Sequence, residues 1–246
     1  GDETFTPNVQ MGIIVAVIVL MFLFFGISNP EGKLFNHVMF YLMMFLGAVI
    51  AAFIVYGDEA GNKLHFTTRN LPTMNVVLYG ILIGLMLALV ENFASGNTIF
   101  VSQSVETSEA IGLFGSAGFA IVSTVTFALL YSFITATGEE SLTRGFLASL
   151  GENFADNETT MKISKYILVP LIFTLLHFFM WNSLGGVSLS LFVLIFLLLY
   201  HFTFAVVCQF SLDVTGSIYT PIAIHMVYNG LKMLMVIQSK GGLGGL

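Results

Sequence analysis

The chain has 246 residues, of which 57% are hydrophobic and 9% charged, with a formal net charge of −6. A soluble domain carries about 25% charged residues, so a water-facing globule is excluded and lipid is the main solvent of this protein. The acids lie mostly in the loops and no basic cluster is present. Phosphate neutralisation therefore has nothing to work with, and nucleic acid is excluded as a partner.

Backbone groups in lipid must be satisfied internally, which leaves helical bundles or closed barrels. The apolar runs are long and lack the period-2 alternation of barrel strands, so they predict helices. A short polar entry over residues 1–8 leads into a first span at 9–27, about the 20 residues a crossing needs. Ser28-Asn29-Pro30-Glu31-Gly32 breaks it. The second span is 35–56, with His37 near its start, and a polar loop follows to Thr73. The third is 75–93 and carries Glu91 near its end, read as a solvated carboxylate at the interface. A loop over 94–109 precedes the fourth span, 111–137, whose small residues let helices approach closely.

The fourth span runs into Gly138-Glu139-Glu140, and the helical pattern continues to Leu150. A polar loop is expected over 153–164, with a glycosylation sequon at Asn157-Glu158-Thr159. The fifth span, 165–184, carries His177, Trp181 and Asn182; the sixth, 187–210, carries His201, for which the sequence suggests no partner. A turn is expected at Asp213-Val214-Thr215-Gly216-Ser217. The seventh span, 218–238, carries His225 and Asn229. The fold class is thus all-α: a polytopic transmembrane helical bundle of about seven spans with an intramembrane polar cavity. It divides into residues 1–110, three spans without motifs; 111–238, a four-span catalytic region; and 239–246, a flexible Gly-rich tail. Cys208 is the only cysteine, which excludes an internal disulfide and a Cys-based structural zinc site.

Ionisable groups at membrane depth mark candidate functional sites. Glu140 and Arg144 are four apart, so they share a helix face and can pair. Glu139 is rotated by about 100° from Glu140, so one carboxylate is tied down and one is free, as suits a base and its support. An ion pair at a helix end would use the same residues without catalysis. His177 lies within an apolar run, as a catalyst or as a hydrogen-bonded packing residue. His225 and Asn229 share a face and both carry donors; they suit a developing oxyanion or an interhelical hydrogen bond. A bundle satisfies three such helices most easily by pointing them at one wet cavity. An acid–His pair to take a proton from water and a His–Asn pair to steady an oxyanion are the minimal equipment for amide hydrolysis.

Glu139-Glu140-x-x-x-Arg144-Gly145, then Phe173-x-x-x-His177, then His225-x-x-x-Asn229 resembles the three-motif signature of the CAAX-processing and bacteriocin-processing (CPBP) peptidases. Thr215-Gly216-Ser217-Ile218-Tyr219-x-Pro221-Ile222 resembles that family's approach to its last motif. The resemblance covers residues 111–238 and implies a glutamate-dependent intramembrane endopeptidase. It implies that Glu139 and His177 activate water, that Glu140 and Arg144 support the site, and that His225 and Asn229 stabilise the oxyanion. Two His and a Glu suit zinc, but the HExxH spacing of common zinc peptidases is absent, so neither a metal nor another cofactor is expected. The expected partners are membrane lipids and a membrane-associated peptide or protein substrate; the motifs do not choose between a lipidated, CAAX-like substrate and another lipid-embedded peptide. Membrane-protein partners would follow if the chain were instead a non-catalytic scaffold of a larger complex. A transporter or proton relay would use the same carboxylates, but the paired broken helices of transporters are missing.

Overall fold

The computed structural model describes residues 6–27, 34–67, 72–95, 121–183 and 191–239. The break expected at Ser28–Gly32, most of the loop expected over 94–109, residues 111–120 of the expected fourth span and the Gly-rich tail lie outside the described residues. Among the described residues the chain forms seven long helices and no strand. They are α1 (Pro7–Ile27), α2 (Leu34–Tyr56), α3 (Thr73–Ser95), α4, α5, α6 (Leu191–Thr215) and α7 (Tyr219–Ser239). The fourth, α4, is composite: Ile121–Glu140, a π-helical stretch Ser141–Leu147, then Ala148–Asn153. The fifth, α5, is Glu158–Ile163, a π-helical stretch Ser164–Leu168, then Val169–Ser183.

The chain is an integral membrane protein. Among the described residues, four helical stretches are long and apolar enough to cross a membrane: Val38–Lys63, Thr73–Phe93, Glu158–His177 and Leu194–Thr215. Large apolar side chains such as Met74, Leu82, Met86 and Leu89 of α3 stand exposed on its outer face, where lipid replaces water as their solvent. The least hydrophobic helices are α4 and α7, and α7 packs against α3, α4 and α6. A helix ringed by protein does not need an apolar face toward lipid, so α7 can carry polar groups.

Two element ends differ from the sequence expectation, each for a local reason. The polar loop expected over 153–164 is shorter, because Asn157 caps α5: its side-chain oxygen accepts from the amide of Thr160 at 2.9 Å, satisfying an otherwise orphan donor. The turn expected from Asp213 is instead helical to Thr215. Asp213 accepts from Lys165 at 2.6 Å and from Tyr166 at 2.6 Å, and Gly216, at φ +68°, supplies the left-handed stop.

Close backbone approach sets the position of both polar helices. A Cβ on Gly138 of α4 would sit 2.4 Å from the carbonyl oxygen of Tyr41 in α2, and one on Gly84 of α3 would sit 2.6 Å from that of Ile224 in α7. Small residues permit such contact between membrane helices. The π-helical stretch of α4 packs Leu142 and Phe146 into a core with Tyr41, Met44, Ala48 and Ala51 of α2. The first three helices thus form the walls against which the motif-bearing helices rest.

Candidate active site

The π-helical stretch begins immediately after Glu140. Such bulges recur at functional sites because they re-aim side chains within a helix. Arg144 lies inside it, fully buried, and its Nη1 donates to Glu140 Oε1 at 3.2 Å. The same nitrogen donates to Thr143 Oγ1 at 2.8 Å, while the Thr143 hydroxyl donates to the carbonyl of Glu139 at 2.6 Å. The guanidinium also lies 4.3 Å from the centre of the Phe173 ring, a cation–π contact strengthened by its burial. Arg144 is therefore a fixed charge, clamped between α4 and α5.

His225 reaches the same carboxylate from α7. Its Nδ1 is 2.7 Å from Glu140 Oε1. An ionised carboxylate can only accept, so the proton in this bond belongs to Nδ1. The opposite ring nitrogen, Nε2, then faces Glu139 Oε2 at 3.5 Å. His177 is oriented in the same way by its own backbone: Nδ1 donates to the carbonyl of Phe173 at 2.9 Å, and Nε2 lies 3.8 Å from Glu139 Oε2. One oxygen of Glu139 is thus approached by the Nε2 atoms of two histidines from two other helices. That oxygen, like Glu140 Oε2, has no hydrogen-bond partner among the described residues.

Phe173 does more than fill a motif position. Its carbonyl fixes the His177 tautomer, and its ring lies 4.4 Å from the His177 ring and 5.9 Å from the His225 ring, as well as under Arg144. Burial separates the group into layers. Glu140 and Arg144 have fully buried side chains and His225 has 2% exposed, whereas Glu139 keeps 9% and His177 14%. The rear layer holds charge; the front layer, the Glu139 carboxylate and the His177 imidazole, is the more exposed, while Glu139 Oε2 itself is buried between the two Nε2 atoms.

Five of the six residues singled out by the sequence are brought together in this way. Asn229, partly buried, lies one turn beyond His225 on the same face of α7. Among the described residues no hydrogen bond joins it to the other five. Among the described residues no three His, Cys, Asp or Glu side chains are grouped to hold a metal ion.

Two features escape the sequence reading. His201 is buried in α6 with its ring 4.9 Å from that of His177 and its Nδ1 bonded to the Leu197 carbonyl at 2.9 Å. No spacing links residues 177 and 201, so the pairing of these rings was not readable. Glu91 is a correction. It is 2% exposed, not solvated; it bonds the Tyr228 hydroxyl and lies 3.0 Å from Lys232 Nζ. A lysine inside the seventh apolar run was the available signal, since a buried cation in a membrane helix needs a counter-charge.

No curated protein and no solved structure matches the chain. A family model does: residues 121–231 match the model described as type II CAAX prenyl endopeptidase, Rce1-like. That segment spans all three motifs and contains all six candidate residues. Those residues, just under half of the chain, are thus similar to the Rce1-like CAAX proteases, a family of integral membrane proteases.

Proposed function

We propose that the protein is an intramembrane endopeptidase that hydrolyses a peptide bond of a membrane-associated, prenylated CAAX-like substrate. The observation that carries this is the convergence of His177 Nε2 and His225 Nε2 on one buried oxygen of Glu139, Oε2, at 3.8 and 3.5 Å. These separations suit groups that share a reacting water rather than bond each other directly. In this reading a water sits beside the pair and bonds both Glu139 Oε2 and His177 Nε2. Glu139 takes its proton as the water oxygen forms a bond to the scissile carbonyl carbon, and the carbonyl electron pair moves onto oxygen. His225 and Asn229 face that oxyanion. The tetrahedral centre then collapses, the C–N bond breaks, and the proton held by Glu139 passes to the leaving amine.

Charge balance supports the division of labour. Two carboxylates stand against one guanidinium, so one negative charge in the buried group remains for a proton on an imidazole to offset. Glu140 already holds one His225 proton on Nδ1; a second on Nε2 makes His225 the oxyanion donor. Glu140 and Arg144 act by holding His225 in place. A lipid-facing bundle with its reacting groups in the interior favours a substrate that reaches it from the membrane.

The test is cleavage of an internally quenched farnesylated CAAX peptide by the protein in proteoliposomes. Glu139→Gln, His177→Ala and His225→Ala are each expected to lose at least 10²–10⁴-fold, the usual contribution of an acid–base group, with insertion and thermal unfolding unchanged. Parental activity in Glu139→Gln would refute the assigned base. A parental protein that cleaves no prenylated peptide would instead support the scaffold reading.

A further inference from the structure

We propose that Glu91 is a positioning residue for His225, acting through Tyr228 and Phe204, and that this role rests on the peptidase reading above. The observations lie outside the three motifs. Glu91 of α3 and Lys232 of α7 are both buried, 2% and 4% exposed, and pair at 3.0 Å. The Tyr228 hydroxyl joins them: it bonds Glu91 and lies 3.0 Å from Lys232 Nζ. A carboxylate, an ammonium and a phenol thus satisfy one another inside the bundle, in a closed network in which each member fixes the other two.

Tyr228 transmits that order. Its ring packs against Phe204 of α6 at 4.7 Å between centroids, and Phe204 meets the His225 ring edge to face at 5.1 Å. Phe204 also stacks on Phe173 at 6.2 Å, and Phe173 carries both Arg144 and His177. Along α7, Tyr228 follows His225 by three residues and Lys232 follows Tyr228 by four, so the network begins about one turn from the imidazole. The backbone contact of Gly84 with Ile224 presses the same two helices together next to His225. Rotation of α7 about its axis is what would move His225 Nε2 relative to Glu139. The Glu91 pair, placed off-axis on the α3 side, resists that rotation.

A network that served stability alone would be replaceable. Substituting a buried ion pair by apolar residues of similar volume is often neutral or stabilising. The experiment therefore compares the parental protein with Glu91→Leu/Lys232→Met and with Tyr228→Phe in proteoliposomes, using the internally quenched farnesylated CAAX peptide. The expected result for the double variant is an unfolding temperature at or above the parental one with kcat reduced at least 10-fold and KM within 2-fold. Tyr228→Phe keeps the ring stack and loses only the hydroxyl; a kcat reduced 3-fold or more with KM within 2-fold is expected. Parental kcat in either variant overturns the proposal. A second readout does not depend on cleavage. In protein labelled with ¹³C at histidine Cε1, the His225 resonance, assigned by its loss in His225→Gln, is expected to shift in Tyr228→Phe while that of His65 stays. If the parental protein cleaves nothing, the peptidase reading fails and this spectrum still decides the positioning: an unmoved His225 resonance overturns it.

Discussion

Gly138→Ala tests whether helix contact sets the catalytic geometry. The added methyl would sit 2.4 Å from the carbonyl oxygen of Tyr41, where ordinary contact begins at 3.4 Å, so α4 and α2 must separate by about 1 Å. The opposing atom is backbone and cannot rotate aside. Overpacking of this kind costs about 1–3 kcal/mol, and with a rigid partner the upper part of that range is expected. The residue next in sequence is Glu139, so the same displacement reaches the carboxylate that the two imidazoles approach. A misplacement of about 1 Å at reacting groups lowers rates on the order of 10²-fold. The assay pairs thermal unfolding in detergent with the initial rate of farnesylated peptide cleavage. Gly138→Ala is expected to remain inserted, to unfold earlier and to lose cleavage by about two orders of magnitude. Parental stability together with parental rate would refute the claim that this contact fixes Glu139.

Arg144→Met strands Glu140 in a fully buried position, and breaking such a pair costs about 3–5 kcal/mol; chemical denaturation of the purified protein measures it, and a change below about 1 kcal/mol would remove Arg144 from its supporting role. Lys165→Met releases Glu152 and Asp213, held at 2.8 and 2.6 Å. Both carboxylates are more than a quarter exposed, so a loss of about 1–3 kcal/mol is expected, with kcat unchanged. Asn157→Ala removes the cap of α5 and is expected to lower stability by about 1 kcal/mol without altering cleavage. Cleavage is expected to survive dialysis against a strong chelator; activity lost to the chelator and restored by zinc would replace the metal-free reading.

Spacing within a single helix was legible throughout. Glu140 with Arg144, and His225 with Asn229, share faces because four residues nearly complete a turn. The helices themselves were legible because lipid tolerates little else. Contacts between helices were another matter. Helices that are apolar all round have no polar stripe from which to read an inward face, so nothing in the sequence said that His225 bonds Glu140 rather than standing free. The π-helical turn over Ser141–Leu147 was hidden for a related reason: its residues suit an α-helix equally well, and packing against α2 accompanies the change. Glu91 was misjudged because its partners lie 137 and 141 residues away.

Composition and the long unbroken apolar runs determined that this chain lives in lipid and folds as helices, since the burial of polar groups in hydrocarbon leaves no alternative. Tertiary structure decided the rest: which carboxylate each imidazole faces, which oxygen of Glu139 the two imidazoles share, and that α3 holds a buried counter-charge for α7. These depend on how far each helix is turned about its own axis and how deeply it sits. Backbone contacts such as Gly138 on Tyr41 and Gly84 on Ile224 fix both, and a one-dimensional pattern does not contain them.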